Sequence, residues 1–211
     1  MTSTAHLDAA GARLDADIDI PDGARGVVLF AHGSGSSRHS PRNRMVAARL
    51  REASFGTVLA DLLTAQEERV DQRTAELRFD IELLALRLTA IADILAARQL
   101  PLGLFGASTG AAAALITAAH RSDTVRAVVS RGGRPDLAGA QLPLVSAPVL
   151  LIVGGNDEPV IQLNNGAAGM LGGPCQIRVV AGATHLFAEP GALEQVADLA
   201  AQWFTRHLPS G

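Results

Sequence analysis

The chain contains no lysine, no tyrosine and a single cysteine, Cys175. Without lysine there is no Schiff-base chemistry, no lysine for a phosphate-binding Walker loop and no Ser-Lys dyad. Without tyrosine and lysine the short-chain dehydrogenases, which use both in catalysis, are excluded. One cysteine forms no intrachain disulfide and builds no thiolate metal site. Aromatic residues make up 3% of the 211 residues, too few for a platform that stacks sugars or single-stranded nucleic acid. A charge excess is also missing. Eighteen basic residues stand against 21 acidic ones, a net charge of −3, so no basic field points to nucleic acid. The first residues, MTSTAHLDAAGARLDADIDI, lack the basic start and apolar block of a signal peptide. No apolar run approaches the length of a membrane span. The expectation is a soluble cytoplasmic protein without nucleic-acid or membrane partners, and without metal or cofactor. Its oligomeric state is left open.

What is abundant is apolar surface: 48% of the residues are hydrophobic, ample for a large core, and residues 1–211 read as one domain. Leu14, Ala16, Ile18 and Ile20 alternate with Asp15, Asp17 and Asp19. That is a strand with an acidic outer face, suited to a sheet edge. The stretches GVVLFA from Gly26, FGTVLADL, LGLF, VRAVVS from Val125, PVLLIVG from Pro148 and CQIRVV read as further strands. Continuous apolar runs suit strands buried on both faces. Between them lie helical patterns: from Pro41 to about Ala53, from Phe79 to Arg98, the alanine-rich stretch after Gly110, near Val160–Leu171, and from about Ala192 to His207. Leu63 to Arg78 reads as a polar loop with a short helix. Alternating strands and helices imply an α/β fold: a mostly parallel sheet with helices on both faces. Right-handed crossovers then gather the strand C-terminal ends, and hence a site, on one edge.

Three residues fall at such ends in a chemically meaningful order. Ser108 sits in Gly106-Ala107-Ser108-Thr109-Gly110, a G-x-S-x-G pattern between strand and helix. Asp157 follows PVLLIVG in GGNDEPV, where a carboxylate can accept the Nδ1 proton of a histidine and fix its tautomer. The alternative is an aspartate capping the helix near Pro159, with Glu158 as the reserve acid. His185 follows CQIRVV in AGATHLF, within reach of both. The loop HGSGSS supplies a second oxyanion donor, Ser34 with Gly33 beside it, to accompany the Thr109 N–H. His32, directly after a buried strand, is expected to brace this loop.

The ordered set VVLFAHGSGSSRHSPRN, GLFGASTGAAAAL, VLLIVGGNDEPV and GATHLF resembles the α/β-hydrolase superfamily, and more closely its small, lidless dienelactone-hydrolase-like members. The resemblance covers nearly the whole chain. It implies Ser108 as nucleophile, His185 as base and Asp157 as orienter, acting on a small-molecule ester, lactone or thioester. Dienelactone hydrolase proper carries cysteine at the elbow, where this chain has Ser108. About eighteen residues separate Ser130 from Pro148, too few for the helical cap that many relatives insert there, so an open site is expected.

Arg38, His39, Arg42, Arg131 and Arg134 fall on the same edge and are candidate contacts for an anionic substrate group. The alternative is that they are solvated or tied to local structure. Two further function classes were weighed. The strand–glycine loop–helix after Val27, with Asp61 ending the next strand, resembles a pyrophosphate cradle, but a G-x-G-x-x-G reading needs glycine where Arg38 stands. A non-catalytic hydrolase-fold binding protein is the other. With peroxide or an alcohol replacing water, the same triad would give a perhydrolase or acyltransferase.

Overall fold

Eight strands form one sheet in the order β1-β2-β4-β3-β5-β6-β7-β8. The computed structural model describes residues 2–208. The strands are β1 (Ser3–Ala9), β2 (Ala12–Asp19), β3 (Val27–Ala31), β4 (Gly56–Ala60), β5 (Leu102–Ala107), β6 (Val125–Arg131), β7 (Val149–Gly154) and β8 (Cys175–Val180). From β4 through β8 all pairings are parallel, while β1–β2 and β2–β4 are antiparallel. The helices are α1 (Pro41–Glu52), α2 (Ala65–Thr74), α3 (Ile81–Ala96), α4 (Thr109–His120), α5 (Glu158–Ala168) and α6 (Ala192–His207). A 3-10 segment, Pro135–Leu144, links β6 to β7. No helix among the described residues is long and apolar enough to cross a membrane.

The continuous apolar runs have the predicted cause. Successive side chains of a strand point to opposite faces, and here both faces are covered. Val28 and Phe30 pack with Val46 and Leu50 of α1 and Val196 and Phe204 of α6. Leu29 and Ala31 pack on the other face with Leu88 and Ile91 of α3 and Leu115 of α4. Phe204 is fully buried, which contributes about 2–3 kcal/mol.

One expectation is corrected. The acidic strand β2 is not the sheet edge, and its acids do not face open solvent. Residues 3–9, to which the sequence assigned no element, form β1 and cover it through the register Ser3↔Ile18 to Ala9↔Ala12. Asp17 is buried, accepting from Thr4 Oγ1 at 3.0 Å and from Arg44 Nη2 at 2.9 Å. Desolvation opposes its ionised form, but these donors and the Arg38 charge prevail and lower its pKa. Asp15 meets His6 Nδ1 at 2.6 Å. The alternating charges therefore line a paired interior seam.

Candidate active site

Ser108 is the single residue between β5 and α4, with φ 50° and ψ −123°. For a residue with a side chain this conformation stores about 1–3 kcal/mol of strain, which the surroundings must offset. They do so by gripping the backbone on both sides. Ser108 N donates to Arg131 O at 3.2 Å, and Ser108 O accepts from the N–H groups of Ala111 and Arg134, each at 3.1 Å. The flanking glycines are required by close approach. A Cβ on Gly106 would lie 2.4 Å from Ala111 Cα, and one on Gly110 would lie 2.4 Å from the carbonyl oxygens of both Ala31 and His32. The second contact packs the start of α4 directly against the loop after β3.

Asp157 stands at the N-cap position of α5, but its side chain caps nothing. Oδ2 instead lies 2.7 Å from His185 Nδ1. Of the two roles open to this aspartate in the sequence, the carboxylate is turned to the histidine, while Glu158 occupies the first turn of α5. The two loops that carry this pair are also packed together. A Cβ on Gly154 would meet the carbonyl oxygens of Ala183 and Thr184 at 2.5 and 2.7 Å. Asn156 N donates to Ala183 O at 2.9 Å, and Gly155 N to Val180 O at 2.8 Å. With Nδ1–H engaged by the carboxylate, His185 keeps the lone pair of Nε2 free to act as a base.

The loop after β3 is held by His32 as expected. Its Nε2 accepts from Leu62 N–H at 3.1 Å, which places the proton on Nδ1, donating to Gly33 O at 3.0 Å. Burial lowers the His32 pKa and keeps the ring neutral, although Asp61 and the Gly33 carbonyl act in the opposite sense. Gly33 lies against the Ser108 turn, where a Cβ would be 3.0 Å from Ser108 Cβ. Thr109 opens α4, so its N–H has no partner within the helix and carries the positive end of the helix dipole.

Gly33, Ser34, Ser108 and His185 line one cavity of about 240 Å³, together with Arg42 and Arg131. Among the described residues no hydrogen bond joins Ser108 to His185. Ligand-free sites of this chemistry often close that contact only when substrate binds. A larger cavity of about 750 Å³ lies beyond the loop, between His32, Arg38, His39, Asp61 and Glu68. It contains neither Ser108 nor His185.

The five rim candidates separate. Arg38 does not line the cavity of Ser108. Its side chain bonds Asp61, its N–H donates to the same carboxylate at 2.6 Å, and Asp15 and Asp17 lie within 3.5 Å. This also occupies Asp61, the acid that a ribose-binding reading requires. His39 meets Arg44 Nη2 at 2.7 Å and lines the larger cavity. Arg134 forms a bidentate pair with Asp136 at 2.8 and 2.9 Å. Arg42 and Arg131 alone reach the cavity of Ser108. Asn43, which sequence reasoning did not single out, lines it too and accepts from Arg131 Nη2 at 3.5 Å. Its one sequence signal was its place in the first turn of α1, beside Pro41.

Comparison with known proteins agrees with this fold. The dienelactone hydrolase family model matches residues 14–208. A dienelactone hydrolase structure from Anabaena variabilis superposes with a TM-score of 0.96 at 52% identity, covering 98% of each chain. The esterase domain of a Rhodothermus marinus protein superposes with a TM-score of 0.78 at 18% identity, over 99% of this chain and 100% of that one, a likeness of fold alone. Two Mycobacterium tuberculosis sequences named "Putative phosphoribosyl transferase" are 57% identical over 202 residues, which is 92% of this chain and 45% of theirs. The chain thus spans about half the length of the curated relatives it matches.

Proposed function

The chain belongs to the dienelactone hydrolase family, and from that premise we propose that it cleaves small carboxylic esters, lactones or thioesters through an acyl-enzyme on Ser108. The observation that carries this reading is a serine in a strained turn, sharing a cavity with a histidine whose Nδ1 is held 2.7 Å from Asp157. The whole chain, residues 1–211, acts as one domain in this proposal, in the cytoplasm and without a cofactor. The transferase name belongs to relatives about twice as long and supports no separate reading of this stretch.

In the proposed mechanism His185 Nε2 takes the Ser108 Oγ proton as Oγ bonds to the carbonyl carbon. The carbonyl oxygen becomes an oxyanion held by the N–H groups of Thr109 and Ser34, with Gly33 letting the loop approach. Asp157 stabilises the imidazolium. The carbon–leaving-group bond then breaks, and the leaving group departs with the proton from His185. Water attacks the acyl-enzyme, gives its proton to His185, and the collapse that releases the acid returns that proton to Ser108. An alcohol or peroxide in place of water would divert the same acyl-enzyme to transfer or perhydrolysis.

Labelling with a fluorophosphonate probe tests the reading. Covalent addition at Ser108, lost in Ser108→Ala and weakened in His185→Ala, is expected. A folded protein that neither labels nor hydrolyses p-nitrophenyl acetate overturns it.

A further inference from the structure

Arg131 is 7% exposed, ends β6 immediately beside the serine turn, and has no carboxylate partner among the described residues. Its Nη2 reaches the amide oxygen of Asn43 at 3.5 Å, and its Nε is buried without a partner among the described residues. Arg42, from the first turn of α1, lines the same cavity, and its Nε is likewise buried and unpartnered. Burial, reinforced by the neighbouring Arg42 charge, pushes the Arg131 guanidinium down to about 10. It therefore still carries its proton at neutral pH. A buried charge without a partner is costly, and the ordinary remedy is a carboxylate. The ordinary remedy is used all around this site but not within it.

No acid lines the cavity, and Asp157 is committed to His185. The first turn of α1, capped by Ser40, also enters the cavity and contains no acidic residue, so the positive end of its dipole adds to the two guanidiniums. The site thus holds two uncompensated positive charges. A carboxylate would neutralise one of them. A phosphate monoester carries about −1.5 to −2 at pH 7 and offers three acceptor oxygens, matching the two charges.

We infer that Arg42 and Arg131 form a subsite for a phosphate-monoester dianion carried by the substrate, so that the ester cleaved at Ser108 belongs to a small phosphorylated molecule. The subsite rests on the serine-hydrolase reading for its consequence, but not for its existence. Phosphate binds to the arginines whether or not Ser108 reacts.

The test has a binding arm and a kinetic arm. In calorimetry, inorganic phosphate binds wild type and Ser108→Ala alike, and binds Arg42→Gln and Arg131→Gln at least about tenfold more weakly, the loss of a charge-assisted contact. Absence of phosphate binding to wild type, or equal binding to Arg42→Gln, overturns the subsite. Should Arg131→Gln lose its cooperative melt, Arg42→Gln on the half-exposed side decides alone. In kinetics, the acetyl ester of glycerol phosphate is preferred over monoacetylglycerol in kcat/KM, and the ratio falls toward one in Arg42→Gln. Preference for the acetyl ester of glycolate, a carboxylate, over the phosphorylated ester overturns the dianion. Phosphate binding with no turnover of any ester removes the hydrolase reading and leaves the anion site standing.

Discussion

Two groups of arginines are treated oppositely. On the side of β1, β2 and α2 four arginines are answered by acids. Arg38 meets Asp61, Arg44 meets Asp17 at 2.9 Å, Arg78 meets Asp71 at 2.6 Å, and Arg87 holds Glu67 at 2.6 and 2.7 Å. In the cavity of Ser108 neither Arg42 nor Arg131 has such an answer. The difference separates arginines that stabilise the fold from arginines held ready for something the protein does not itself contain. Compensation, more than nearness to the reactive serine, tells them apart. Arg131 and Arg134 are three positions apart, yet only Arg134 has its acid, Asp136.

The contrast can be broken at several points. The largest effect belongs to the reactive side. Ser108→Ala should reduce ester hydrolysis by about 10⁴-fold or more while leaving the melting temperature essentially unchanged, as initial rates and a thermal melt would record. A variant that retained turnover would remove the distinction between the two sides. On the compensated side the reverse is expected. Asp71→Ala leaves Arg78 unanswered next to a nearly closed site, and should lower unfolding free energy by about 3 kcal/mol in urea titration. Its kcat/KM per folded molecule should hold.

A smaller effect comes from Glu67. The guanidinium of Arg87 is the main cause that holds its carboxyl down at about 2, against an ordinary value of 4.5. A depressed folded-state pKa contributes stability that is complete above the unfolded value and is lost as pH falls toward the folded one. Urea midpoints of wild type should therefore drop between about pH 4.5 and 2, and Glu67→Gln should flatten that slope. An unchanged slope would mean that the pair does not stabilise. The smallest effect is expected for Arg38→Gln. Because Arg38 serves Asp61, the ratio of charged-ester to neutral-ester kcat/KM should stay within about twofold of wild type. A large change would place Arg38 back at the site.

The strands, helices and triad candidates were legible because each leaves a local mark. Buried parallel strands are continuous apolar runs, the helix after Gly110 is mostly alanine, and Ser108, Asp157 and His185 each follow such a strand. The hairpin of β1 and β2 was not legible. Its turn uses Ala10 and Gly11, with φ of 50° and 74°. A two-residue turn with both φ positive usually announces itself with asparagine or aspartate at the first place, and alanine there is silent. The sorting of the rim arginines was hidden for a different reason. Arg38 and Asp61 are 23 residues apart, and Arg87 and Glu67 are 20 apart, so their pairing is a product of tertiary packing. Sequence places the charges on an edge but does not say which acids will already be taken.

The close contacts at Gly110 and Gly154 carry an implication for how such a protein can change. Gly110 fixes the serine turn to the loop after β3, and Gly154 fixes the aspartate loop to the histidine loop. A residue inserted in any of these four loops would displace a neighbour that carries one of the proposed triad side chains or the proposed oxyanion loop. Within the connection from β6 to β7, the Arg134 N–H holds the serine turn and Pro143 lies against Gly172, but around Gly139 the chain is unrestrained: a Cβ there would meet nothing within 4 Å, and the Pro135–Leu144 segment contributes no side chain to the cavity. New chain can be spliced in there without retuning the chemistry, which makes that connection the natural place to graft a cover over the site.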